Sequence, residues 1–221
     1  MTATATAAAV AWLLAVATTL GLMGAPRGVH ELQITIGDVT VRALCTDRPR
    51  DALLLHDVGS TSDSWPPVLE RLDEYVGACA YDRRGSGMSV PPPSERGWYE
   101  FLDELRHVHR TLGFDRDYLL VGHGLGGLYA RMYVIDRPRE LGALLLVDPS
   151  HEDMPDRFAA GMPERERLEW IEQRSVPNLD GIRKVSLDTR LRRLRTPRVP
   201  VTVLTAAQRS GSEGWNSQFI S

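Results

Sequence analysis

The residues best suited to chemistry stand in one run, Asp117-Tyr-Leu-Leu-Val-Gly-His-Gly-Leu-Gly-Gly-Leu128. Its first half is a short apolar stretch that reads as a buried strand. Its second half is a glycine cluster that opens into Tyr129-Ala-Arg-Met-Tyr-Val-Ile135, the start of a helix. Strand, tight glycine turn and helix in that order make an elbow. This is the shape of the G-x-S-x-G motif, whose serine attacks a carbonyl from the sharpest point of the turn. Here the frame is Gly122-His123-Gly124-Leu125-Gly126, and Gly124 stands where the hydroxyl should be. An elbow nucleophile is held at positive φ, which costs a non-glycine residue about 1–3 kcal/mol. Glycine reaches such angles at no steric cost. The turn is therefore expected to persist, relaxed, without the oxygen that would attack.

The flanking elements predict how such a turn is held. His30–Gly37 alternates, Gly37-Asp38 turns the chain, and Val39–Cys45 follows, which reads as a hairpin. Ala52-Leu-Leu-Leu-His56 is a continuous apolar run, as in a strand covered on both faces. Asp57 to Ser64 is a loop with helix-capping residues that enters Trp65–Tyr75, where Pro66 and Pro67 suit a first helical turn. Gly77–Asp82 is the next strand, and Arg83-Arg-Gly-Ser-Gly-Met-Ser89 is a glycine turn. A proline-rich loop follows to Gly97. Trp98–Leu112 has apolar residues at helical spacing, ended by Gly113. After the elbow the helix runs to about Arg137, Leu141–Asp148 is another buried strand, and Val199–Thr205 is the last. Strands alternating with helices after an opening hairpin predict an α/β fold with a mostly parallel sheet. Ligand sites in such sheets lie beyond the carboxyl ends of the strands. The loops after His56, after Asp82 and at Gly122 are expected to converge there.

A chain of 221 residues fits one domain with a sizeable core. Its formal net charge of −3 gives no electrostatic reason to expect nucleic acid as a partner. Metals and nucleotide cofactors are not indicated. Neither cysteine has metal spacing, and the elbow glycines lack both the P-loop Lys and the G-x-G-x-x-G spacing with its downstream acid. Ala7 to Ala25 carries no charge and has roughly the length of a membrane-spanning helix, about 17–25 residues. It reads as an uncleaved anchor, with a cleaved signal peptide and secretion as the alternative. Residues 1–29 are then anchor and linker, and 30–221 the folded domain. Arg27 follows the run and by itself keeps the domain inside. Cys45 and Cys79 read either as buried thiols or as one bridge, and a bridge requires an oxidising, extracytoplasmic side.

The order of motifs resembles the α/β-hydrolase superfamily. The matching pieces are His56-Asp57-Val58-Gly59 with Trp65, Tyr81-Asp-Arg-Arg-Gly-Ser-Gly-Met-Ser89, Val121-Gly-His-Gly-Leu-Gly-Gly127 and Leu145-Leu-Val-Asp-Pro-Ser-His-Glu-Asp153. The resemblance runs from about residue 30 to the C-terminus and looks closest to members with an N-terminal membrane segment. It implies an α/β-hydrolase fold, a mostly parallel sheet with helices on both faces, and hydrolysis of a carboxylic ester or amide. It implies an oxyanion hole from the N–H groups of Leu125 and Val58, with Asp57 in place of the usual glycine. His56, Gly122, His123 and Gly126 would frame the pocket, with His123 packed beneath the elbow. Asp148 is the candidate acid, and its other reading is a structural cap before Pro149. The family's base is a His after a further strand, which would lie beyond Ser221, and none of the six histidines present suits the role. The family also sets cysteines like Cys45 and Cys79 on neighbouring strands.

On this resemblance the domain ends short of the family's final strand and helix. Val199–Thr205 is then expected to form an exposed apolar edge open to self-association. Residues 149–198 fall where the family inserts a cap, with Pro163–Arg174 a plausible amphipathic helix. Three readings follow. One is a degenerate hydrolase that lost its nucleophile and C-terminus. A second is a pseudoenzyme holding a small apolar, ester-like ligand in the retained pocket. The third is a partial or altered form of an active enzyme, which Gly124 fits poorly because alanine is the commoner deliberate replacement.

Overall fold

The computed structural model describes residues 28–91, 95–151, 159–175 and 198–206. Its strands are β1 (Val29–Ile36), β2 (Val39–Thr46), β3 (Arg50–Leu55), β4 (Gly77–Tyr81), β5 (Tyr118–His123), β6 (Leu141–Val147) and β7 (Val201–Leu204). The helices among the described residues are α1 (Pro66–Leu72), α2 (Trp98–Thr111), α3 (Leu125–Asp136) and α4 (Glu164–Ser175). The seven strands form one sheet in the order β1-β2-β4-β3-β5-β6-β7. β1, β2 and β4 pair antiparallel, and the pairs β4–β3, β3–β5, β5–β6 and β6–β7 are parallel.

The period-2 geometry of a strand splits the run Ala52-Leu-Leu-Leu55 between two cores. Leu53 and Leu55 join a large cluster with Phe101 and Leu105 of α2 and Leu128 and Tyr129 of α3. Ala52 and Leu54 join a smaller cluster with Trp65 and Leu69 on the α1 side. A strand buried on both faces has no polar side to show, which is why this segment reads as unbroken apolar sequence. The whole of β4 is buried for the same reason.

Helix limits differ from the sequence reading at one place. The segment expected from Trp65 to Tyr75 is helical only over Pro66–Leu72. Trp65 instead closes the 3₁₀ turn Ser62–Ser64, whose N-cap Thr61 accepts the Asp63 N–H at 3.2 Å. Among the described residues β7 is the last strand of the sheet, and Val201, Val203 and Leu204 are exposed on it. The helix expected at Pro163–Arg174 forms as α4, and Leu168 on it faces solvent at 58% exposure. Most of the cap-like stretch and the apolar N-terminal run lie outside the described residues. Among the described residues no helix is long and apolar enough to cross a membrane.

Candidate functional site

β5 ends at His123 and α3 begins at Leu125, so the chain reverses at the single residue Gly124, with φ 55° and ψ −121°. Those angles fall where an L side chain is strained, and glycine is not. The glycines on either side are required by contact. A Cβ on Gly122 would lie 2.5 Å from the Cα of Gly127, and one on Gly126 would lie 2.5 Å from the carbonyl oxygen of His56. The elbow is thus pressed against its own helix and against the end of β3. Its backbone is pinned on a third side by the strand beside it. Gly124 N–H donates to the Val147 carbonyl at 3.2 Å, and Ser150 N–H donates to the Gly124 carbonyl at 2.9 Å.

The loops after β3 and β4 meet this turn. Asp82, fully buried at the end of β4, accepts the Ser62 N–H at 2.6 Å and the Met88 N–H at 3.2 Å. It ties the loop after β3 to the glycine turn of residues 83–89. Arg83 beside it is also fully buried. Its guanidinium donates to the carbonyl of His56 at 2.7 Å and to that of Asp57 at 3.3 Å, and lies 5.2 Å from the centre of the Tyr129 ring. His56 is buried and its Nδ1–H donates to the same Asp57 carbonyl at 2.7 Å. Three buried groups therefore fix the path of the chain into Asp57 and Val58.

The N–H groups of Val58 and Leu125, expected to form an oxyanion hole, do converge. What they converge on is the Asp57 side chain. One carboxylate oxygen, Oδ1, accepts Leu125 N–H at 2.6 Å and Val58 N–H at 2.7 Å. Both donors are satisfied by a residue that the sequence reading took as a substitute for glycine. The carboxylate also fills the space that a side chain at position 124 would occupy. A Cβ built on Gly124 would lie 2.1 Å from Asp57 Cγ, 2.2 Å from Oδ1 and 2.5 Å from Oδ2.

His123 is half-buried beside the elbow, not packed beneath it, with its ring edge-on to Trp65 at 6.3 Å. The strand alternation explains this: Val121 and His123 share the α1 face of β5, where Trp65 lies. The Trp65 indole N–H is buried and meets no acceptor among the described residues. Asp148 follows β6 with φ 43°, a left-handed conformation that Asp tolerates better than most residues. Its N–H donates to the Leu204 carbonyl at 2.7 Å. The turn it starts carries Pro149, whose Cβ would lie 2.9 Å from a Cβ on Gly127. His151 is exposed. His107 is exposed and bonds the Thr35 carbonyl at 3.1 Å, and His109 is buried against Tyr133 and Tyr118, both remote from the elbow. Among the described residues no group of three or more His, Cys, Asp or Glu side chains could hold a metal.

Cys45 and Cys79 face each other in the β2–β4 register with Cα atoms 4.1 Å apart, and their sulfurs are joined. A cleft of about 470 Å³ opens at the opposite end of the sheet, lined by Asp47, Arg48, Arg50, Asp117 and Tyr118 among others. It shares no residue with the elbow.

Comparison with known proteins bears on the whole arrangement. The model of the "Alpha/beta hydrolase family" matches residues 52–217. An uncharacterized protein of Bacillus subtilis, YqjL, is 22% identical over 158 residues, covering 69% of this chain and 60% of that protein. A putative carbamate hydrolase of Agrobacterium fabrum, RutD, is 29% identical over 105 residues, covering 47% of this chain and 40% of its own. The matched region thus spans less than two thirds of these curated relatives. The epoxide hydrolase CorEH superposes with a TM-score of 0.59 at 17% identity, over 80% of this chain and 82% of its own. That last likeness is one of fold.

Proposed function

The chain belongs to the alpha/beta hydrolase family, and from that premise we propose that it is a relative of carboxylic ester and amide hydrolases whose own elbow no longer catalyses. The observation that carries this reading is the Asp57 carboxylate lying where a nucleophile side chain would stand, over a residue with no side chain. Loss of the nucleophile or the base alone lowers turnover by about 10⁶ in a serine hydrolase dissected residue by residue. What remains there, roughly 10³–10⁴ over water, comes from the oxyanion hole and binding. In this chain even that remainder is closed off, because both hole donors are spent on Asp57. A negative charge developing on a substrate oxygen would also meet a carboxylate in place of two N–H groups.

The test is turnover of p-nitrophenyl butyrate together with labelling by a fluorophosphonate. Neither a burst nor a label is expected from the wild-type protein. The Gly124→Ser variant is expected to stay unlabelled too, since its hydroxyl would compete with the Asp57 carboxylate for the same space. Labelling of the wild-type chain would sink the reading.

A second reading, a pocket that holds a small apolar ligand, is favoured by one observation. The buried Trp65 N–H beside His123 lacks an acceptor among the described residues, and buried donors are rarely left so. A ligand with an oxygen at one end and an apolar body would satisfy it, with Val58 and Met88 exposed on the neighbouring loops. The apolar run Ala7–Ala25 is proposed to anchor the protein in a membrane, and the Cys45–Cys79 pairing supports an extracytoplasmic domain.

A further inference from the structure

Two departures from the hydrolase pattern, Asp57 and Gly124, lie far apart in sequence and in contact in space. The Cβ that any residue other than glycine would place at 124 falls inside the Asp57 carboxylate, at 2.1–2.5 Å from its three outer atoms. The carboxylate in turn is not free to give way without loss. It holds two backbone N–H groups at 2.6 and 2.7 Å, and its backbone is fixed by Arg83 and His56.

We propose that Asp57 and Gly124 form a matched pair in which the Asp57 carboxylate is the tethered occupant of the elbow's anion nest, making Asp57 the residue that decides what the pocket admits. The nest of Val58 and Leu125 N–H groups is built to receive an oxyanion, and the chain fills it from within. A tethered carboxylate acts at an effective concentration in the millimolar range or above. An external carboxylate, or the tetrahedral oxyanion of acyl transfer, is therefore shut out of the wild-type elbow. Ligands that reach it face an acceptor where the family presents donors. The proposal concerns the same site as the reading above without resting on its lack of activity, because the pairing is visible in stability and binding alone.

A double-mutant cycle tests it. Gly124→Ala carries a backbone cost from its left-handed φ in any background, and that cost cancels in the cycle. What remains is the clash with residue 57. Gly124→Ala is expected to lower the melting temperature of the wild-type protein by at least about 4 °C more than it lowers that of Asp57→Ala. Asp57→Asn keeps both the bulk and the acceptor oxygen, so the coupling should persist there. If Gly124→Ala fails to fold, recovery in the Asp57→Ala background supports the pairing, and failure there overturns it. Equal losses in the wild-type and Asp57→Ala backgrounds overturn it as well.

The second arm is binding of butyrate, followed by amide chemical shifts in the intact chain. Asp57→Ala is expected to bind it, with the Val58 and Leu125 amides moving most, while the wild-type protein shows no saturable shift. Saturable binding of butyrate by the wild-type elbow, or none by Asp57→Ala, refutes the tethered-occupant assignment. Ester turnover by the wild-type chain would refute the inactive reading, whereas the coupling between positions 57 and 124 is decided by the melting temperatures alone, so the two failures are told apart.

Discussion

Removal of the Cys45–Cys79 bridge should cost this domain more than any single core contact. The bridge closes a loop with a sequence separation of 34. Chain entropy for a loop of that size gives about 4 kcal/mol at 25 °C. The position of the bridge adds to its effect. β2 meets β4 through only three registered pairs, Ala43↔Tyr81, Leu44↔Ala80 and Cys45↔Cys79. That short ladder joins the long β1–β2 hairpin to the parallel part of the sheet, and the disulfide lies at its end. The variant Cys45→Ala/Cys79→Ala is expected to melt about 8–16 °C lower, taking roughly 2–4 °C per kcal/mol for a domain of this size. Amide exchange in β1 and β2 should accelerate more than exchange in β5. Both sulfurs are in the core, at 1% and 0% exposure for the two residues, so dithiothreitol should reduce the bridge only together with urea. Two thiols per chain titrating in urea without reductant, or a double variant melting within about 2 °C of the wild type, would refute the reasoning.

Two further outcomes follow from buried polar groups. His109 is buried, and that burial, only partly opposed by Glu140, lowers its pKa from the ordinary value of 6.5. The Tyr133 hydroxyl donates to Glu140 at 2.6 Å and so accepts from His109 Nδ1–H at 3.0 Å. The folded state thus resists the proton that the unfolded chain takes up below about pH 6.5. Stability from this residue is present above that pH and is lost as pH falls toward the depressed value. The His109→Gln variant should show a shallower loss of stability between pH 7 and about pH 5 in urea melts, and an unchanged slope would count against the assignment. Glu104 is buried with Arg96 in an ion pair and lies 3.4 Å from both the Tyr81 hydroxyl and the Arg84 N–H. Glu104→Ala should destabilise by about 3–5 kcal/mol by leaving the guanidinium without its carboxylate, while Arg96→Met/Glu104→Met should recover much of that in the same melts.

The sheet and the elbow were legible for physical reasons that act locally. A strand buried on both faces must be apolar throughout, so Ala52–Leu55 and Gly77–Tyr81 declare themselves. A turn that presses backbone on backbone leaves no room for a Cβ at Gly122 or Gly126, so these two glycines mark it by their spacing. Arg83 was hidden because a charged pair at a strand end usually faces water. Its burial depends on two carbonyls, those of His56 and Asp57, which carry no mark in sequence. The Tyr133–His109–Glu140 network was hidden for a similar reason. It joins α2, α3 and the turn before β6, and only their packing brings its members within hydrogen-bond range.

Asp57 sets the boundary of such reading most sharply. Beside the family pattern it is one polar residue in place of glycine, and Gly124 is one missing hydroxyl; nothing along the chain connects them. In space the Asp57 carboxylate fills the volume that any side chain at 124 would need. A side chain at 124 and the Asp57 carboxylate on both N–H groups therefore exclude each other in this arrangement. With the carboxylate on both N–H groups, a serine at 124 is expected to cost more than the strain of its backbone angles alone. A serine at 124 is thus expected to fit only once residue 57 has given up the nest.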